Sequence, residues 1–218
     1  MFLVGRKRET VLVWWGSVTD TDDKRTIEHF TAKLQVHGPT VDAVDWGSRQ
    51  SQQTRFEVLN AIGISPGGNV LDVGCGLGDF YAWLKARDGA LRYTGIDITP
   101  SMIAAARELY PGAEFETRDL IDRPYPMGCF DFVFASGVFY LRTDQGLAYV
   151  STLVEAMFKA CRVGLAFNCL SQWAARQEAD EFYADPSEVL ALCRRFSNRL
   201  VLRHDYHPAD FTIYVFRD

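Results

Sequence analysis

The chain lacks any Cys-x-x-Cys pair, and its five cysteines are scattered over positions 75, 129, 161, 169 and 193. This spacing excludes the usual zinc-binding and disulfide frameworks and fits a reducing compartment. No run of lysine or arginine looks like a phosphate-tracking patch, and a formal net charge of -5 disfavours a nucleic-acid backbone as partner. No apolar run approaches the length of a membrane span. We therefore expect a cytoplasmic protein, either monomer or homodimer, with no metal ion, nucleic acid or membrane as partner.

The first 18 residues combine a basic patch with the short apolar stretch VLVWW. A secretory signal would place basic residues ahead of a longer apolar core and would end in small residues. An extra β-segment, an association arm and upstream sequence translated from a misplaced start all remain open. We favour an appended or poorly ordered segment.

Residues 70–80, VLDVGCGLGDF, are the most informative part of the chain. An apolar run leads into Gly74, Gly76 and Gly78, and a helix-compatible segment follows. A strand, a glycine turn and a helix form a nucleotide-sized seat at the carboxyl end of a parallel sheet. The third glycine of a dinucleotide fingerprint would fall on Asp79, and no lysine follows as in a P-loop. An NAD(P)-dependent reductase is therefore disfavoured.

An acidic residue followed by G-C-G-x-G resembles motif I of the class I S-adenosylmethionine (SAM)-dependent methyltransferases. The resemblance implies that Asp72, Gly74, Cys75, Gly76 and Gly78 contact SAM, whose amino-acid end is zwitterionic and whose sulfonium is positive. Bare backbone and a nearby carboxylate suit such a ligand. The alternative is a glycine turn that only makes a tight connection between strand and helix.

The string GIDITPSMI, residues 95–103, resembles the second motif of the same family. The resemblance implies that Asp97 accepts hydrogen bonds from both ribose hydroxyls, with Ile98 and Met102 near the adenine. After a third strand, it places Asp119 at the adenine amino group and the backbone amide of Leu120 beside it. The alternatives are a helix-capping carboxylate at Asp97 and a solvated turn at Asp119.

Residues 129–136, CFDFVFAS, read as a fourth strand that resembles motif IV, with Ser136 facing the transferred methyl group. Ser136-Gly137-Val138-Phe139 stands where methyltransferases of DNA bases and some protein amides carry [DN]-P-P-[YF]. This departure disfavours DNA-adenine, DNA-cytosine-N4 and glutamine methylation. The proline-cysteine nucleophile of cytosine-C5 enzymes is also absent.

Residues 19–64 are predicted to form an N-terminal helical lid over the cofactor. Apolar spacing predicts helices over residues 24–34 and 49–62. A lid would keep the site closed and dry. Arg55 could make a forked contact with the SAM carboxylate, and Trp46 and Gln52 could line the same end. The alternatives are a solvated helix face for Arg55 and a core position for Trp46.

Residues 65–218 are predicted to form the SAM-binding core, with no second domain. Strands alternating with helices indicate an α/β fold with a doubly wound, mostly parallel sheet. The resemblance implies seven strands with an antiparallel last strand, and residues 199–204 and 211–216 read as a terminal hairpin. Residues 170–184 read as an insertion over the substrate cleft.

The predicted function is transfer of a methyl group from SAM to an oxygen or nitrogen atom of a small molecule, with S-adenosylhomocysteine as product. A base is required only for an alcohol, phenol or protonated amine. Among the four histidines, His37 is predicted as this base because it lies in the predicted lid, although a surface position is the alternative. Tyr140 is a second catalytic candidate, and Phe139 and Tyr183 join Trp46 as candidates to contact the acceptor. RNA or protein methylation and non-catalytic SAM binding remain open.

Overall fold

The computed structural model describes residues 20–142 and 144–218, and the predicted appended segment, residues 1–18, lies outside them. The helices are α1 (Asp20–His37), α2 (Arg49–Asn60), α3 (Asp79–Lys85), α4 (Pro100–Leu109), α5 (Gly146–Ala160) and α6 (Pro186–Cys193). The strands are β1 (Asn69–Val73), β2 (Arg92–Asp97), β3 (Glu114–Thr117), β4 (Phe130–Ala135), β5 (Cys161–Leu170), β6 (Leu200–Arg203) and β7 (Asp210–Phe216).

The seven strands form one sheet in the order β3-β2-β1-β4-β5-β7-β6. Strands β1 to β5 pair in parallel, whereas β7 is antiparallel to both β5 and β6. The predicted doubly wound α/β fold with an antiparallel last strand is confirmed. Because β1 pairs with β2 on one side and β4 on the other, the strand order reverses at β1. A crevice at the carboxyl ends of these strands is where such sheets bind ligands.

Helices cover both faces of the sheet and bury its apolar side chains. On one face, α5 and α6 pack over a cluster that includes Val133, Leu153 and Phe167. On the other face, α2, α3 and α4 pack over a cluster that includes Phe56, Phe80 and Phe134. Strand residues alternate between the two clusters, as the period of two in a strand requires. None of the helices in the described ranges is long and apolar enough to cross a membrane.

A short 3-10 helix at Val41–Val44, between α1 and α2, is not predicted by the sequence. Four residues are too few to show an apolar period, and Gly38 and Pro39 before them indicate only a turn. Its buried Ala43 packs against Leu77 and Met102, in a third small cluster that also contacts α1. This packing brings the N-terminal helices over the glycine turn.

Candidate functional site

The glycine segment adopts a backbone that favours glycine at three alternate positions. Gly74, Gly76 and Gly78 have φ values of 72°, 52° and 81°, a region that other residues rarely occupy. The turn is fixed to β2, because the amides of Gly74 and Cys75 donate to the carbonyl of Ile96 at 2.8 and 3.0 Å. Gly78 then precedes α3 as its N-cap residue.

The turn also passes very close to its neighbours. A Cβ atom on Gly74 would lie 2.2 Å from Cγ1 of Val138, and one on Gly76 would lie 3.1 Å from Cγ1 of Val44. The backbone of the turn is therefore bare because side chains have no room there, and Gly74, Cys75 and Gly76 line a cavity.

Asp97 ends β2 beside this turn and accepts two backbone amides. Its Oδ2 accepts from Gly76 at 3.0 Å and its Oδ1 accepts from Thr99 at 2.8 Å. Burial raises the pKa of Asp97, although these hydrogen bonds oppose the shift. A carboxylate oxygen can accept more than one hydrogen bond, so the capping contacts leave acceptor capacity. Ribose binding by Asp97 stays a prediction.

Asp72 is a fully buried carboxyl group within β1. The hydroxyl of Tyr93 donates to its Oδ2 at 2.5 Å. Burial raises the pKa of Asp72 to about 7, and the hydrogen bond from Tyr93 only partly offsets this. Near neutral pH the carboxyl is therefore partly protonated.

This raised pKa predicts a pH-dependent stability. Below about pH 4 both the folded and unfolded chains hold the proton. Between about pH 4 and pH 7 only folded Asp72 holds it, so the free energy of unfolding falls as pH rises, by at most about 1.4 kcal/mol per unit. Urea unfolding at about pH 5 and about pH 7 should show the decline. The decline should be smaller in Asp72→Asn and unchanged in Asp205→Asn, and an equal decline in both variants would contradict the assignment.

A cavity of about 580 Å³ opens at the carboxyl ends of β1, β2 and β4. Most of the predicted site residues line it: Trp46, Arg55, Asp72, Gly74, Cys75, Gly76, Asp97, Ile98, Met102, Asp119, Leu120, Ser136, Phe139 and Tyr140. Gln52 also lines it, and its side-chain amide donates to Asp79 at 3.0 Å. Gly78, His37 and Tyr183 do not line the cavity.

His37 is the main departure from the sequence prediction. It is exposed at the last residue of α1 and lies away from the cavity. Helix α1 continues to this residue instead of ending near residue 34. His29, two turns earlier on the same helix, lines the cavity instead.

Tyr183 also differs from its prediction as an acceptor-binding residue. It lines a separate shallow cleft with Gln172, Gln177, Glu181 and Phe182. Its hydroxyl donates to Glu181 at 2.5 Å and accepts from the amide of Glu178 at 3.1 Å. The insertion reaches the cavity through its carboxylates at positions 178, 180 and 181.

Arg55 is buried and already ion-paired with Asp210 at the start of β7. It also donates to the carbonyl of Ser51 at 2.9 Å, and its guanidinium lies 4.9 Å from the centroid of the Trp46 ring. Burial raises the pKa of Asp210, and the positive charges of Arg55 and His207 act against that shift. Contact between Arg55 and the SAM carboxylate stays a prediction, whereas its pairing within the protein is evident.

Two further predicted residues make local contacts. Asp119 accepts from the amide of Ile121 at 2.6 Å and so closes a turn. Ser136 Oγ accepts from Nδ2 of Asn168 at 3.0 Å, and Oδ1 of Asn168 accepts from the amide of Gly137 at 2.9 Å. Asn168 was missed, although a buried amide in the apolar strand β5 was a visible signal.

Four residues from three parts of the chain form a polar cluster at the cavity, here called the Asp45 cluster: His29, Lys33, Asp45 and Tyr140. Tyr140 donates to Oδ2 of Asp45 at 2.7 Å, and Nε2 of His29 contacts the same oxygen. Nζ of Lys33 lies 2.6 Å from Oδ1 of Asp45. Only Tyr140 was singled out from the sequence, because no local pattern links the other three.

The cluster fixes two protonation states. Burial opposes ionisation of Asp45, but the hydrogen bonds from Lys33, Tyr140 and His29 outweigh it and lower its pKa. Burial, and then the hydrogen bond to Asp45, raise the pKa of Tyr140 far above its usual value. Tyr140 therefore keeps its proton at neutral pH and is a hydrogen-bond donor instead of a base. Within the described residues, no group of His, Cys, Asp and Glu side chains is placed to hold a metal ion.

Known proteins that are similar in sequence to this chain include methyltransferases. A family model described as a methyltransferase domain matches residues 70–164. A Mycobacterium tuberculosis protein provisionally named as a methyltransferase is 36% identical over 157 residues, which cover 67% of this chain and 92% of that protein. Phosphoethanolamine N-methyltransferase 3 of Arabidopsis thaliana is 27% identical over 146 residues, covering 62% of this chain but only 29% of the plant enzyme.

A solved structure shares the fold. Magnesium protoporphyrin IX methyltransferase from Synechocystis, crystallised with bound S-adenosylhomocysteine, superposes with a TM-score of 0.64 over 90% of this chain and 100% of that one. At 13% sequence identity, this likeness concerns the fold alone.

Proposed function

Because the chain belongs to the class I SAM-dependent methyltransferases, we propose that it methylates an oxygen or nitrogen atom of a small-molecule acceptor. It is an enzyme that uses SAM as methyl donor and releases S-adenosylhomocysteine. The plant relative is named for its action on phosphoethanolamine, a small molecule.

The observation that carries the proposal is one cavity that is lined both by the glycine turn and by the Asp45 cluster. Gly74, Gly76 and Asp97 line the seat for the cofactor, and His29, Asp45 and Tyr140 line the same cavity. The seat fits SAM chemically, because bare backbone and buried carboxyl groups suit its hydroxyls and its positive charge. A nucleic acid or a folded protein would instead need a broad docking face.

When bound, SAM supplies a methyl group that its sulfonium has already activated. The protein residues then have three tasks: to orient the cofactor, to orient the acceptor and to exclude water. Asp97 and the amide of Leu120 would hold the nucleoside, and Asp72 would face the amino-acid end. The lid, residues 19–64, would exclude water, because its Val44 and Trp46 lie against Gly76 and Gly137.

Calorimetry tests the cofactor site. S-adenosylhomocysteine should bind the wild-type protein, and NAD should not. Asp97→Asn removes the charge of a carboxylate expected to bind both ribose hydroxyls, and hydrogen bonds to charged groups contribute roughly 1.5–3 kcal/mol each. We expect its dissociation constant to rise by about tenfold or more. Asp205→Asn, which changes an exposed carboxylate two residues after β6, should match the wild type. Equal affinity of wild type and Asp97→Asn would contradict the assigned role.

The acceptor class is tested with methyl-labelled SAM and cell extract. Label should appear in the small-molecule fraction after ultrafiltration. Label in RNA or protein would replace the proposal by methylation of a macromolecule. Binding of S-adenosylhomocysteine without any labelled product would point to a non-catalytic SAM-binding protein.

A further inference from the structure

The segment that carries Asp45 lies directly over the cofactor seat. Val44 approaches Gly76 of the glycine turn, and the Trp46 ring would lie 3.3 Å from a Cβ atom on Gly137, just past β4. Asp45 stands between these two contacts. Its carboxylate is therefore fixed beside the place where the acceptor must approach the methyl group.

Asp45 is held in an unusual backbone conformation. With φ at 56° and ψ at 22°, it is the one non-glycine residue of positive φ in the part of the chain that the structure describes. Aspartate tolerates this region better than most residues, but the surrounding contacts must still maintain it. Its amide donates back to Val41, which closes the 3-10 helix and aims the side chain at the cavity.

The hydrogen bonds of Asp45 determine which nitrogen of His29 carries a proton. An ionised carboxylate only accepts hydrogen bonds. Nε2 of His29, which contacts Oδ2 of Asp45, must therefore be the protonated nitrogen. In the neutral ring Nδ1 is then left with a free lone pair. In the Ser-His-Asp triad a carboxylate also orients a histidine base, but it does so through Nδ1–H and leaves Nε2 as the base.

We infer that His29 is the catalytic base that takes the proton of the acceptor, with Asp45 as its positioning residue. The inference rests on the proposed function and adds that the acceptor carries an ionisable O–H or N–H group. As the acceptor lone pair forms a bond to the methyl carbon, its proton passes to Nδ1 of His29. The electron pair of the breaking carbon–sulfur bond stays on sulfur, and His29 later gives its proton to water.

The other candidates do not serve this role. Tyr140 keeps its proton in the hydrogen bond to Asp45, so it fixes the carboxylate from the β4 side. Lys33 occupies the second oxygen of Asp45 and does not line the cavity. Glu178 and Asp180 are exposed residues of the insertion, so no surrounding structure orients them toward the acceptor. Glu181 already accepts a hydrogen bond from the hydroxyl of Tyr183.

Nitrogen NMR of the imidazole rings tests the geometry without any acceptor. The signal of His29 is assigned as the one lost in His29→Gln. In the wild type at alkaline pH we expect the Nε2–H tautomer, and in Asp45→Asn we expect a smaller fraction of it. Asparagine is chosen because it also tolerates positive φ. A predominant Nδ1–H tautomer in the wild type would overturn the inference.

Turnover is measured as label transferred from SAM to the small-molecule fraction of cell extract. General base catalysis contributes roughly 10²–10⁴-fold, so His29→Gln should slow labelling by about 100-fold or more. Binding of S-adenosylhomocysteine by the same variant should stay within about twofold of wild type. The matched control is His37→Gln, the same substitution at the exposed end of the same helix, which should label at the wild-type rate.

The outcomes separate this inference from the proposed function. Loss of S-adenosylhomocysteine binding in the wild type would overturn the proposed function, whatever the tautomer. Normal binding with equal labelling by His29→Gln and wild type would overturn only the role of His29. An equal fall in labelling for both histidine variants would also overturn it, because the effect would then not depend on the cavity.

Discussion

Replacing Gly74 by alanine is expected to abolish measurable binding of S-adenosylhomocysteine. The residue has φ at 72°, where an L-residue costs roughly 1–2 kcal/mol. The new methyl group would also lie 2.2 Å from Cγ1 of Val138, well inside contact distance. Either the side chain of Val138 or the turn must therefore move, and movement of the turn would also displace the amides that bind the carbonyl of Ile96. Calorimetry gives the affinity, and urea unfolding gives the accompanying loss of stability.

Two comparisons identify the cause. Gly89→Ala is the matched control, because a Cβ atom there meets nothing within 4 Å and its φ is not positive. It should leave both affinity and stability unchanged. Adding Val138→Ala to Gly74→Ala removes the clashing methyl and should restore part of the stability. If the double variant is no better than the single one, the dihedral alone is responsible, and if Gly74→Ala binds normally, the turn does not form the seat.

The sequence predicts best those features of the structure that neighbouring residues determine. Alternate glycines between an apolar run and a helix predict a turn, because backbone dihedrals depend on neighbouring residues. Strands and helices are also predictable, because the periodic spacing of their apolar residues can be detected within a short stretch of sequence.

Contacts between distant residues could not be read from the sequence. Asp45 meets His29 across 16 positions and Tyr140 across 95. Both contacts depend on a four-residue helix without a detectable period, so His37 and His29 were indistinguishable beforehand. Only the full length of α1 and the path of the following turn decide between them.

The ion-pair partner of Arg55 could not be predicted from the sequence either. From the sequence it is an arginine on an amphipathic helix, free to bind a carboxylate of the cofactor. In the structure its partner is Asp210, which lies far along the chain at the start of β7. Strand β7 reaches this position only because it inserts between β5 and β6. The pair therefore joins the predicted lid to the last strand of the sheet.

Arg55→Met is accordingly expected to lower the free energy of unfolding by about 3–5 kcal/mol, because it leaves a buried carboxylate without its partner. The pKa of Asp210, already raised by burial, should rise further, so folded Asp210 keeps its proton to higher pH than the unfolded chain. Proton binding by folded Asp210 therefore adds to the free energy of unfolding of the variant at low pH, and this contribution is lost as pH rises. The free energy of unfolding of the variant should lie closer to the wild-type value at about pH 5 than at about pH 8. Urea unfolding at both pH values measures this.

The controls distinguish a structural ion pair from a cofactor contact. Arg203→Met breaks an exposed pair with Asp205 and should leave the free energy of unfolding close to that of the wild type. Combining Arg55→Met with Asp210→Leu replaces the pair by apolar groups and should recover most of the lost stability. If Arg55 instead serves mainly to bind the cofactor, the single variant should unfold near the wild-type free energy and lose affinity for S-adenosylhomocysteine. That outcome would restore the sequence-based role, because a buried pair that stabilises the fold cannot be broken without a large loss of stability.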